Sequence, residues 1–205
     1  MLDRRFLTCV AALMLAAFSG GAAAGGDAER GALLADTCLG CHGIPGYRNA
    51  YPSYRVPKLG GLSEDYIVIA LQGYRNETRD HATMQAQGAT LSDQAMRDIA
   101  AFFAAQGTLE EGPPPDGPHI ARGREKAAVC AACHGPNGVS TTGNWPSLAG
   151  QHRDYLRNVL NQYKTGARKD PVMAGQVISL SEEDIADLAA YFSALPGLFT
   201  VAYDD

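Results

Sequence analysis

Apolar positions along the chain recur with the helical period rather than in alternation. The clearest case lies near the C-terminus, where Ile185, Leu188, Ala189 and Phe192 fall at i, i+3, i+4 and i+7; Met96, Ile99, Ala100 and Phe103 have the same spacing earlier. Ser181 with Asp184 three residues on has the form of a capping box, and Ser92 opens the earlier helix with less of that signature. Shorter helical segments are expected over 28–38 and 121–130, and second helices over 63–74 and 153–163, each of the latter after a glycine-rich turn. No stretch has a convincing period of two, so the predicted fold class is all-α.

The N-terminus follows another pattern. Arg4 and Arg5 precede an apolar run from Phe6 to Phe18, which is followed by Ser19-Gly20-Gly21-Ala22-Ala23-Ala24. Basic, apolar and small-residue regions in that order predict a signal peptide over 1–24, cleaved after Ala24, and export to the periplasm. The run falls short of the roughly 20 residues that a membrane-spanning helix needs. Cys9 departs with the signal.

The remainder reads as a tandem duplication. Cys38-Leu39-Gly40-Cys41-His42-Gly43 answers Cys130-Ala131-Ala132-Cys133-His134-Gly135 at an offset of 92, and Arg30-Gly31 answers Arg122-Gly123 at the same offset. From Pro57 and Pro146 onward the offset is 89, so the first copy carries three extra residues in between. That offset pairs Tyr66 with Tyr155, Tyr74 with Tyr163, Arg79 with Arg168, Met84 with Met173, and Phe103 with Phe192. Two domains are therefore expected, 25–106 and 119–205. Residues 107–118, with Pro113-Pro114-Pro115, form a stiff linker reaching about 3.1 Å per residue. Units of about 80 to 90 residues have marginal cores unless a staple, metal or cofactor supports them.

Composition narrows the function. With 46% apolar and 19% charged residues among 205, the chain is neither a disordered tail nor a polytopic membrane protein. Its formal charge of -5 becomes -6 once the signal takes Asp3, Arg4 and Arg5 with it, which excludes a nucleic-acid binder needing a basic patch.

Four cysteines remain after the signal, all within the two Cys-x-x-Cys-His motifs. In an exported chain that motif is the attachment signature of c-type haem. Cysteines three apart present both sulfurs on one side of a helical turn for thioether bonds, and the adjacent histidine reaches the iron. A redox dithiol has no use for the histidine, and one zinc site would require both copies to converge. The expected cofactors are two covalently bound haem c groups, on Cys38 and Cys41 with His42, and on Cys130 and Cys133 with His134. For the sixth ligand, Met84 and Met173 coincide in the repeat, 42 and 39 residues after their histidines and in stretches expected to be non-helical. Met96 coincides with Ile185 and is expected in the core. His81, His119 and His152 lack counterparts in the other copy and read as surface histidines, with His81 the alternative ligand at the first iron. Tyr66, Tyr74, Tyr155, Tyr163 and Trp145 are candidates for haem packing or propionate bonds.

These residues resemble the di-haem cytochrome c4 family. The likeness is densest in Cys130 to Gly138, Pro146-Ser147-Leu148-Ala149-Gly150-Gln151, Tyr155-Leu156, Met173-Ala174 and Leu180 to Phe192; the first copy departs at Ile44 to Arg48 and in the insertion within Tyr51 to Pro57. The resemblance implies two tandem class I cytochrome c domains, each a small helical fold wrapped around one covalent haem. They would be related by a pseudo-twofold axis with the haems facing across it. It also implies that the carbonyls of Pro57 and Pro146 accept from the ligand histidines. The implied function is single-electron transfer from a respiratory donor to a terminal oxidase or other acceptor, with redox proteins as partners and no small-molecule substrate at the irons. Peripheral membrane association is compatible with it. The alternative is the cytochrome subunit of a periplasmic dehydrogenase, such as a flavocytochrome sulfide dehydrogenase. A di-haem peroxidase is disfavoured by the two equivalent methionines and the short chain.

Overall fold

The computed structural model describes residues 25–202; the expected signal, 1–24, lies outside them. The first copy contains α1 (Ala28–His42), α2 (Glu64–Arg75), α3 (Ala82–Thr90) and α4 (Asp93–Ala104). The second contains α5 (Pro118–Lys126), a 3-10 turn (Ala127–Val129), α6 (Ala131–His134), α7 (Arg153–Thr165), α8 (Pro171–Val177) and α9 (Glu182–Ala194). Among the described residues extended pairing is limited to isolated bridges, as the absence of a period of two predicted. None of the described helices is long and apolar enough to cross a membrane.

The helices begin where their caps dictate. Ser63 and Ser92 accept from the backbone N–H groups of Tyr66 and Ala95, and Ser181 and Asp184 form the reciprocal capping box. The extensive packing within each copy is between its first and last helix, α1 on α4 and α5 on α9. The repeated Arg-Gly pair explains that crossing. A Cβ on Gly31 would lie 1.9 Å from the Asp98 carbonyl oxygen, and one on Gly123 would lie 2.2 Å from that of Asp187. Each preceding arginine then reaches the same aspartate: Arg30 donates to Asp98 twice at 3.0 Å, and Arg122 to Asp187 at 2.7 and 3.0 Å. These buried carboxylates are charge-paired, and the arginine hydrogen bonds hold both well below the usual carboxylate range.

Ile99, Phe103 and the fully buried Met96 centre the first core; Leu188, Ala189 and Phe192 centre the second. The C-terminal segment crosses between them. Leu198 N donates to Ala149 O at 2.8 Å, Phe199 exchanges two backbone hydrogen bonds with Gly60, and Leu198 and Val201 are buried in the first core. Gly60 and Ala149 are equivalent in the repeat, so the tail is threaded between matching turns of the two copies.

Candidate functional site

Cys38 and Cys41 occupy the last turn of α1, with His42 ending the helix. In the second copy the turn is shorter: Cys130 follows the 3-10 segment, and its carbonyl accepts from the N–H groups of Cys133 and His134. The spacing of three thus lies on one helical turn in both copies. All four cysteine side chains are half-buried.

His42 Nδ1 lies 2.8 Å from Pro57 O, and His134 Nδ1 lies 2.8 Å from Pro146 O. A carbonyl can only accept, so Nδ1 carries the proton in both rings and Nε2 keeps its lone pair. Burial lowers the pKa of both imidazoles, outweighing the proline carbonyls that raise them. Two neutral, oriented imidazoles beside paired thiols are the donor set that a covalent haem requires. The proline partners expected from the resemblance are in place.

The methionine stretches are helical, contrary to expectation. Met84 is the third residue of α3 and Met173 the third of α8. The cause is capping: Asp170 accepts from Met173 N at 2.9 Å, and His81 accepts from Met84 N through Nδ1 at 3.3 Å. Asp170-Pro171, an N-cap followed by proline at the first helical position, is a signal that could have revealed the second helix. His81 occupies the aligned position and has the same role. Its Nε2–H donates to Asn49 Oδ1 at 3.3 Å, so both ring nitrogens are engaged by protein. His119 lies 2.6 Å from Asp187 Oδ1, and His152 is half-buried with its pKa lowered by burial and by Lys58. Met84 packs on the first core and Met173 is half-buried.

The aligned tyrosines and arginines meet where the copies join. Arg79 and Arg168 form an antiparallel backbone bridge, flanked by Lys169 N to Thr78 O at 2.7 Å and Asp80 N to Ala167 O at 3.3 Å. Pairing of equivalent residues in antiparallel register is what a twofold relation between the copies produces. The Arg79 guanidinium lies over the rings of Tyr66 and Tyr74, and that of Arg168 over Tyr163. Arg168 also donates to the hydroxyls of Tyr66 at 3.2 Å and Tyr155 at 3.5 Å. Burial raises the Tyr66 pKa, but Arg79 and Arg168 outweigh it and hold the phenol below its usual value. The repeat had aligned these arginines without suggesting a role. Trp145 stands apart from them, in an open cleft with Leu62, Leu109 and Val139.

The inserted hairpin of the first copy closes over the same seam. Arg48 and Arg55 pair with each other through the backbone and both contact Asp154, while Tyr54 is buried against Tyr155 with ring centroids 6.2 Å apart.

The model of the cytochrome c family matches residues 28–106 and again 120–196. Cytochrome c4 of Pseudomonas aeruginosa is 32% identical over 198 residues, spanning 91% of this chain and 97% of the relative. The thiosulfate dehydrogenase electron acceptor of Stutzerimonas stutzeri is 32% identical over 175 residues, spanning 76% and 77%. Among solved structures, reduced recombinant cytochrome c4 from Pseudomonas stutzeri superposes with a TM-score of 0.70 at 31% identity, covering 83% of this chain and 99% of that one.

Proposed function

The chain belongs to the di-haem cytochrome c4 family, and from that membership we propose that it is a periplasmic shuttle passing single electrons from a respiratory donor to a terminal oxidase or another acceptor protein. It is a di-haem c-type electron carrier with two covalently bound haem c groups. When bound, haem c supplies a one-electron Fe(III)/Fe(II) couple; the protein sets its potential and access.

Cys38 and Cys41, and Cys130 and Cys133, hold the two groups by thioethers. His42 and His134 would each supply Nε2 to an iron, while Nδ1 donates to Pro57 O and Pro146 O. Such a hydrogen bond also makes the imidazole a stronger donor. Met84 and Met173 would supply the second protein ligand to each iron, where a soft sulfur favours ferrous iron and so a higher potential. A histidine and a methionine held to each iron would leave no position for a substrate. The observation that carries this reading is the twofold occurrence of Cys-x-x-Cys-His with its Nδ1 to proline carbonyl bond at 2.8 Å.

The test is a spectroscopic redox titration of the exported protein, which should give two one-electron transitions and a haem stoichiometry of two. A single haem, or a transition at only one, would refute the assignment. A second reading is favoured by the similarity to a thiosulfate dehydrogenase electron acceptor: the chain as the cytochrome subunit of a periplasmic dehydrogenase. Stable co-purification with a dehydrogenase supports the subunit; a monodisperse free di-haem protein supports the shuttle.

A further inference from the structure

The two copies start their methionine helices with different chemistry. Asp170 caps α8 through an exposed carboxylate and is followed by Pro171 at the first helical position. The negative charge suits a helix N-terminus and the proline ring presets φ, so local sequence holds that turn. The aligned residues of the first copy are His81 and Ala82, which supply neither a carboxylate nor a preset φ. An imidazole accepts from Met84 N only while its ring is turned correctly and Nδ1 keeps its lone pair. What α3 lacks locally must come from elsewhere.

The inserted hairpin supplies it. Asn49 Oδ1 accepts from His81 Nε2–H at 3.3 Å, which fixes the tautomer. Asn49 is itself held in place, because its backbone N–H and its Nδ2 both donate to Tyr54 O, at 2.9 and 3.4 Å. The rings of Tyr54 and Tyr74 stand edge-on to the imidazole, with centroids 6.4 and 6.5 Å from it. The hairpin is in turn latched to the second copy: Asp154 accepts from the Arg48 guanidinium at 3.0 Å and from Arg55 N at 3.2 Å, and the buried Tyr54 packs on Tyr155. A continuous chain of contacts thus runs from Asp154 in α7 through the hairpin and His81 to the backbone of Met84. The second copy is three residues shorter between the same landmarks, and among the described residues the Asp170 side chain bonds to Met173 N alone.

We propose that His81 is a positioning residue for Met84, held by the inserted hairpin and its latch on Asp154, so that methionine ligation of the first iron depends on contact between the copies while that of the second does not. This rests on the reading of Met84 and Met173 as iron ligands. Because the capped N–H is that of Met84 itself, a loosened ring frees the first turn of α3 and the methionine with it.

The experiment is a titration of the oxidised, exported holoprotein with imidazole at neutral pH, since imidazole must displace a methionine and so removes its charge-transfer signal. Met84→Ala identifies the phase that belongs to the first haem. His81→Ala should raise imidazole affinity in that phase about fivefold, the worth of one side-chain cap, and leave the other phase unchanged. His81→Asp, which carries over the cap of the second copy, should return the affinity to near the wild-type value. Asp154→Asn alters a side chain with no described bond to α3, yet should move the same phase in the same direction by about twofold. Asp170→Ala should move the second phase alone. An unchanged first phase in His81→Ala, no rescue by His81→Asp, or a silent Asp154→Asn would overturn the proposal. If His81→Ala does not mature, Asn49→Ala makes the same prediction by removing the acceptor that fixes the ring. Two methionine signals in wild type with unresponsive variants defeat this proposal alone, whereas fewer than two in wild type defeat the ligand reading itself.

Discussion

At the scale of single residues the methionines carry the sharpest prediction. Met84→Ala and Met173→Ala should each abolish one methionine-to-ferric-iron charge-transfer signal and lower the potential of one haem, since a thioether ligand favours ferrous iron. Met96→Ala should leave both signals intact and instead cost about 2 to 5 kcal/mol in denaturant unfolding, because that side chain is fully buried in the first core. Retention of both signals in Met84→Ala would turn attention to His81. That alternative requires His81 to give up the bonds to Met84 N and Asn49 that occupy its ring. The ligand assignment could be drawn from the sequence because cysteine, histidine and methionine are scarce and the repeat pairs them. The burial of Asp98 and Asp187 could not be drawn from it, since an aspartate within a helical pattern reads as solvated until the arginine on the first helix of its copy is seen beside it.

At the scale of elements, pattern reading succeeded where a long amphipathic face or a serine cap marks the helix. It found α4 and α9 and the capping box of Ser181 with Asp184. It missed α3 and α8, which are short and owe their start to caps more than to an apolar stripe. The close crossing of first and last helices gives a test that reverses an ordinary trend. Glycine to alanine inside a helix usually gains about 1 kcal/mol. At Gly31 and Gly123 the added methyl would meet a backbone carbonyl oxygen at 1.9 and 2.2 Å, so the helices must separate and the Arg-Asp pairs lengthen. Gly31→Ala and Gly123→Ala should therefore destabilise by about 1 to 3 kcal/mol, as overpacked sites do. Chemical denaturation measures it, and a gain in stability at either position would refute the crossing.

For the whole molecule, the duplication announced two equivalent units but not how they are fastened. The fastening is asymmetric: the inserted hairpin holds Asp154 from one side, and the C-terminal segment enters the first core from the other. A short apolar stretch without a period, such as Leu198-Phe199, does not reveal which core it joins, so chain order alone assigns it to the second copy. Its burial says otherwise: Leu195 belongs to the second core, whereas Leu198 is 2% exposed within the first. Leu198→Ala should then weaken the copy from which it is most distant in sequence, by about 2 to 5 kcal/mol if the pocket cannot collapse. Hydrogen exchange read by mass spectrometry can locate the loss, because opening in one cooperative unit is reported by that unit's amides. Amides of α1, α2 and α4 should lose protection while those of α5 and α9 keep theirs, and loss confined to α5 and α9 would show that the tail stabilises only its own copy.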